Sequence, residues 1–250
     1  MAFVKDVVKR VTSEDLRYRV DRWLIDGTLR DQLVRKRYPL MVTSETELVI
    51  EGFPRSANTY AFTAFWVSNG RDFPVAKPNH SARNVLVGVR RAVPVILLVR
   101  RPLDSVASQL IYRPALTARS VLSAYIRFHE RVLPVVDRVV LAPFDSVVED
   151  FGAVVREVND RFGTSFVAYE PTAENEDRVR FEIDTWDFVE SGMVEIREAT
   201  VSRPSKERDA RKPAAVAQVQ AERALLARAD VLYDRMLAAA RTRVSHPSAD

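Results

Sequence analysis

Leu48-Val49-Ile50-Glu51-Gly52-Phe53-Pro54-Arg55-Ser56-Ala57-Asn58-Thr59-Tyr60 begins as a short apolar run, turns at Gly52 and Pro54, and ends where a helix-period stretch from Tyr60 to Val67 begins. A run this short and this apolar predicts a strand buried on both faces. Two more runs of the same kind follow, Val95-Ile96-Leu97-Leu98-Val99 and Val139-Val140-Leu141, and Pro74 and Pro78 bracket a further short strand around Phe73 to Ala76. Between and after them lie the helix-period stretches Leu103 to Tyr112, Ser120 to Val132 and Val147 to Phe162, the last closed by Gly163. Strands alternating with helices predict an α/β fold with an open, mainly parallel β-sheet flanked by helices.

The chain of 250 residues is 47% hydrophobic and 29% charged, which suits one large globular domain and excludes a fibrous or unfolded chain. The expected domain spans residues 1–242. It includes an N-terminal helical extension over 1–45, a lid or cofactor loop over 172–212 and a long C-terminal helix from Pro213 to about Arg241, and a flexible tail follows over 243–250. The absence of cysteine removes disulfides, thiolate zinc sites and catalytic thiols, and no metal site is expected. The N-terminus is charged throughout and lacks the apolar core of a signal peptide. No apolar run approaches the roughly 20 residues of a membrane span, so a soluble, cytoplasmic protein is expected. A net charge of +4 is too small for bulk nucleic-acid binding, and no aromatic-basic stripe accompanies it.

The seven glycines are scattered, so neither the dinucleotide fingerprint nor the Walker loop can be written anywhere. Anion binding can still be read at two strand ends. A helix that starts after a parallel strand offers unpaired N–H groups and a positive partial charge to a phosphate, and Arg55, Ser56, Asn58 and Thr59 add donors there. A plain capped strand-to-helix turn would use the same letters. The second segment, Val99-Arg100-Arg101-Pro102-Leu103-Asp104-Ser105-Val106-Ala107-Ser108, repeats the pattern, with Pro102 suited to the first helical turn. Ser108 lies about two turns along that helix, where its hydroxyl and Arg100 can share an anion. In the competing reading, Asp104 pairs with these arginines in a structural network.

Together, the segments resemble the signatures of sulfotransferases that use 3′-phosphoadenosine 5′-phosphosulfate (PAPS), whose fold is like that of P-loop nucleotide kinases. The 5′-phosphosulfate loop of that family matches Pro54, Arg55, Ser56, Ala57, Asn58 and Thr59, and its 3′-phosphate signature matches Arg100, Pro102, Asp104 and Ser108. The resemblance covers residues 47–112. It extends more loosely to Phe144-Asp145-Ser146-Val147 and to a basic run in which Arg203, Lys206 and Arg208 would close over the cofactor. It implies a P-loop-NTPase-like sulfotransferase fold and sulfuryl transfer from PAPS, without a metal, to a hydroxyl (an amine being the lesser alternative) of a small-molecule, glycan or lipid acceptor. The cofactor would be held by Arg55, Ser56, Ala57, Asn58, Thr59, Tyr60, Arg100, Ser108, Arg203, Lys206 and Arg208. His80 would be the general base and Arg55 would stabilise the leaving phosphate. An imidazole of ordinary pKa about 6.5 is an effective proton acceptor near neutral pH. His129, within a helix, and His246, in the tail, do not compete.

The loop departs from the family at three positions. Ala57 stands where the family has Gly, so the loop either avoids positive φ there or bears strain of order 1 kcal/mol. Asn58 replaces a Thr, and Arg55 keeps the charge of a Lys but cannot donate a proton. A nucleotide-binding relative without turnover and a small-molecule kinase of related fold are the other functions these residues admit. The acceptor would meet Leu110 to Thr117 or residues 172–200, whose composition does not select among sugar, lipid, phenol or peptide.

Overall fold

The computed structural model describes residues 14–16, 18–19, 41–191 and 205–241. Four strands, β1 (Leu48–Gly52), β2 (Val75–Ala76), β3 (Val95–Val99) and β4 (Val140–Pro143), form one all-parallel sheet in the order β2-β1-β3-β4. Parallel neighbours require crossovers, and helices supply them. Helix α1 (Asn58–Asn69) joins β1 to β2, and α2 (Ala82–Arg90) joins β2 to β3. Helices α3 (Pro102–Tyr112) and α4 (Ala118–Val132), with a 3-10 turn over Leu133–Arg138, lead to β4. Helices α5 (Phe144–Phe162), α6 (Ala173–Ser191), α7 (Lys206–Ala221) and α8 (Arg223–Arg241) follow.

β1 and β3 are buried along their whole length, which is why they read as apolar runs, broken in β1 by Glu51. Their alternate side chains feed two cores. Val49, Val95, Leu97 and Val99 join residues of α2, α3, α4, α7 and α8 on one face. Leu48, Ile50, Ile96 and Leu98 join residues of α1, α5 and α6 on the other. Leaving β1, the chain goes first to β2 on one side and then to β3 on the other. The crevice beyond the carboxyl ends of β1 and β3 is therefore a topological switch point, the usual ligand position in open parallel sheets.

The structure corrects three expectations about the elements. Residues 172–212 are not a continuous loop. Helix α6 begins there with Asn175 N donating to Thr172 Oγ1 (3.2 Å) and Glu174 and Glu176 in its first turn, and it buries Val179 and Ile183. Residues 192–204 lie outside the described residues. The single C-terminal helix is two, broken at Glu222 (φ −88°, ψ 53°), and Pro213 lies inside α7 rather than near its start. The start is Ser205, whose Oγ accepts from Arg208 N (3.3 Å), followed by Glu207 and Asp209 in the first turn. Helix α2 was not foreseen; Ser81 caps it through Arg83 N (3.3 Å).

Of the N-terminal extension over 1–45, residues 14–16, 18 and 19 are described as helical and residues 41–45 as a non-helical lead into β1. Asp15 accepts from Thr117 N (2.8 Å) and Thr117 Oγ1 (3.0 Å), and Glu14 pairs with Arg113 (2.8 Å), so this segment packs on the turn between α3 and α4. The tail at 243–250 lies outside the described residues. No described helix is long and apolar enough to cross a membrane.

Candidate functional site

Three successive carbonyls of the loop after β1 are tied to the protein on its flanks. Asn58 Nδ2 donates to Phe53 O (2.9 Å), Ser105 Oγ to Pro54 O (2.9 Å) and Arg100 Nη1 to Arg55 O (3.0 Å). Because N–H and C=O point oppositely across a trans peptide, this anchoring turns the amides of Arg55 and Ser56 to the other side of the loop. Arg55 (φ 68°) and Ala57 (φ 68°, ψ 20°) are left-handed, with Ser56 between them outside that region. Such alternation gathers successive amides into an anion-binding concavity. Ala57 thus takes a left-handed conformation that favours Gly, and bears the strain. It is also the N-cap of α1 and offers no side-chain cap to the first turn of Asn58, Thr59 and Tyr60. Ser56 is fully buried, and its Oγ has no hydrogen-bond partner in the structure. A hydroxyl left this way beside an uncapped helix N-terminus suits a bound anion.

The second strand end supplies charge. Ser108 Oγ, on the buried face of α3, accepts from Arg55 Nε (3.2 Å) and from Arg208 Nη2 (2.7 Å), the latter carried in by α7. Arg100 joins them through the Arg55 carbonyl rather than through Ser108, and its guanidinium stacks 3.8 Å from the centre of the Phe144 ring. Burial lowers the Arg100 pKa; the charges of Asp104 and Asp145 act against this and that of Arg208 adds to it. Arg55 also lies 5.0 Å from the centre of the Tyr112 ring. Of the three basic residues expected to close over the cofactor, Arg208 reaches the cluster, Lys206 is exposed at the first position of α7, and Arg203 lies outside the described residues. Tyr60 contributes its backbone to the first turn of α1, while its hydroxyl turns to α6. There it bonds Glu176 Oε1 (3.2 Å), which also accepts from Tyr169 (2.9 Å), and burial with the Glu176 charge pushes the Tyr60 pKa up to about 12.

His80 is held at the carboxyl end of β1, at the root of the same loop. Its ring Nδ1 lies 3.0 Å from Gly52 O. A carbonyl can only accept, so Nδ1 carries the proton and Nε2 is the basic nitrogen of the neutral ring. Behind it sits Glu51, a residue to which the sequence reading gave no role. It is fully buried, and burial pushes its pKa up to about 7 against hydrogen bonds that favour the ionised form. The signal was available, because an acid inside an apolar strand must find polar partners or remain neutral. His129 is buried, with its Nδ1 2.8 Å from Tyr125 O and its ring 3.9 Å from that of Tyr125, in the role of a core side chain.

Among the described residues no group of three or more His, Cys, Asp or Glu side chains could hold a metal ion. No family model, curated protein or solved structure matches this chain.

Proposed function

We propose that the protein is a PAPS-dependent sulfotransferase of P-loop-NTPase-like fold, acting on a hydroxyl of a small-molecule, glycan or lipid acceptor. The observation that carries the reading is the convergence of Arg55 and Arg208 on Ser108, with Arg100 tied to the Arg55 carbonyl, next to an uncapped helix N-terminus with a buried, unpartnered Ser56 hydroxyl. PAPS has two separated anionic ends, and the crevice has two sets of donors. The buried, unpartnered Ser56 hydroxyl and the cations gathered at Ser108 suit those two ends. Ser56 and the first-turn amides of Asn58, Thr59 and Tyr60 would hold the 5′ end, and Ser108, Arg100 and Arg208 the 3′-phosphate that distinguishes PAPS from ATP.

Bound PAPS would supply a sulfuryl group on a phosphate leaving group. The chain's part is then positioning and electrostatics. Arg55 lies between the loop and Ser108, where its charge serves the departing phosphate. His80 Nε2 takes the acceptor proton, with the ring oriented by Nδ1–H on Gly52 O.

The test is thermal stabilisation by 3′-phosphoadenosine 5′-phosphate (PAP), with ATP and magnesium as control. At 100 times its dissociation constant a ligand adds about 2.7 kcal/mol. PAP is expected to stabilise the protein and ATP with magnesium not to. Stabilisation by ATP and magnesium alone would replace the reading with a kinase, and stabilisation by neither would refute it. PAP binding without product from any acceptor would mark a non-catalytic binding protein.

A further inference from the structure

We propose that Glu51 is the positioning residue for His80, gathering the backbone of the 79–80 turn onto the end of β1 so that the imidazole presents Nε2 to the crevice. The inference rests on His80 being the base of the proposed reaction, and its geometry stands on four hydrogen bonds to one buried carboxylate. Oε1 accepts from Gly52 N (2.9 Å) and His80 N (2.9 Å), and Oε2 accepts from Asn79 N (3.2 Å) and Asn84 Nδ2 (3.0 Å). In the ionised form two acceptor sites on each oxygen are thereby filled. Asn84 is itself fixed, since its Nδ2 also donates to Asn79 Oδ1 (2.8 Å) and its Oδ1 accepts from Met41 N (3.2 Å).

The turn needs such a clamp. His80 has φ 61°, a left-handed conformation that a residue with a Cβ holds only when its surroundings over-determine it. Two consecutive residues of β1 do so, Glu51 through the His80 amide and Gly52 through the ring. An apolar side chain at position 51 would suit a central strand but would leave the amides of Asn79 and His80 without that acceptor. The carboxylate thus has a local task, setting where one imidazole sits and which nitrogen is basic, and Glu51 itself need not touch substrate.

Nitrogen-15 NMR of the His80 ring and its backbone amide, in the wild type and in Glu51→Gln, tests this directly. In the wild type at pH 8, where Glu51 is ionised, the neutral ring is expected as the Nδ1–H tautomer, with a low-field His80 amide proton bonded to a carboxylate. Glu51→Gln, of nearly the same shape, is expected to shift that amide upfield and give a mixture of ring tautomers, with the dissociation constant for PAP unchanged within twofold. An Nε2–H ring in the wild type, an ordinary His80 amide shift, or a Glu51→Gln ring spectrum identical to wild type would each overturn the proposal. The two wild-type signals decide even if the variant fails to fold. Failure of the wild type to bind PAP would instead refute the sulfotransferase reading, and the ring and amide signals would still judge the Glu51 clamp.

Discussion

Replacing His80 by Ala removes the imidazole held at the carboxyl end of β1 and leaves the Arg55, Arg100, Arg208 and Ser108 cluster intact. Turnover, followed as PAP release from PAPS with phenol, sugar and lipid-alcohol acceptors, is expected to fall by about 10²–10⁴, the usual contribution of a general base. Affinity for PAP should not change. An undiminished rate would remove His80 from the mechanism. Glu51 makes a different prediction, about stability. Its folded pKa of about 7 lies above its ordinary value of 4.5, so the folded chain binds the proton more tightly than the unfolded one. The stabilisation from that bound proton is fully present below pH 4.5 and is lost as pH rises through 7, to the extent of about 3 kcal/mol. Denaturant unfolding at pH 5 and pH 8 should show this loss in the wild type, and Glu51→Gln should lack that increment. Equal slopes in the two proteins would show that the Glu51 pKa is not raised. This residue escaped sequence reading because its role depends on partners at 79, 80 and 84, and no local pattern connects those positions to a strand at 48–52. His80, Arg55 and Arg100 could be singled out because each sits within a few residues of a strand end, and Ser108 because it lies two turns along the helix that follows β3.

Elements were legible in proportion to how far local pattern alone determines them. β1 and β3 are buried on both faces and therefore appear as apolar runs, whereas β2 is two residues long and pairs only through Leu48 and Val49. α6 was hidden because few of its described side chains are buried, Val179 and Ile183 among them, so its charge masks its period. The break at Glu222 is a backbone event without a glycine or proline to announce it. α1 shows the opposite case, in which the sequence posed the right question. Ala57 was expected either to avoid the left-handed region or to be strained, and it takes the left-handed form with φ 68°. Ala57→Gly removes a steric cost of about 1–2 kcal/mol and adds unfolded-state entropy worth about half of that. A net gain of about 0.5–1 kcal/mol is expected, or roughly 1–4 °C in melting temperature for a chain of this size. A variant that melts lower than wild type would show that the N-cap carries no strain.

At the scale of the whole molecule, the core and the crevice are linked by one helix pair. α7 brings Arg208 to Ser108, and with α8 it closes the core on that face through Ala215, Val219, Leu232, Tyr233 and Met236. Stability and the proposed PAP binding can nevertheless be separated by where a substitution falls. Met236 is fully buried and far along α8 from the arginines in sequence, so Met236→Ala is expected to cost about 2–5 kcal/mol. A ligand that binds only the folded state adds stability set by its concentration over its dissociation constant, whatever the starting stability. Met236→Ala should therefore melt lower yet be stabilised by saturating PAP by the same free-energy increment as wild type. Arg100→Ala should do the reverse, losing about 2–5 kcal/mol of PAP affinity, the cost of truncating one member of a buried charge contact. Its own melting temperature should change less than that of Met236→Ala, because removing Arg100 also relieves the desolvation of its charge and the repulsion from Arg208. If PAP stabilised the two variants equally, the arginines would not be the phosphate ligands. If Met236→Ala lost the PAP increment, the crevice would depend on core packing more than the contact between α3 and α7 implies.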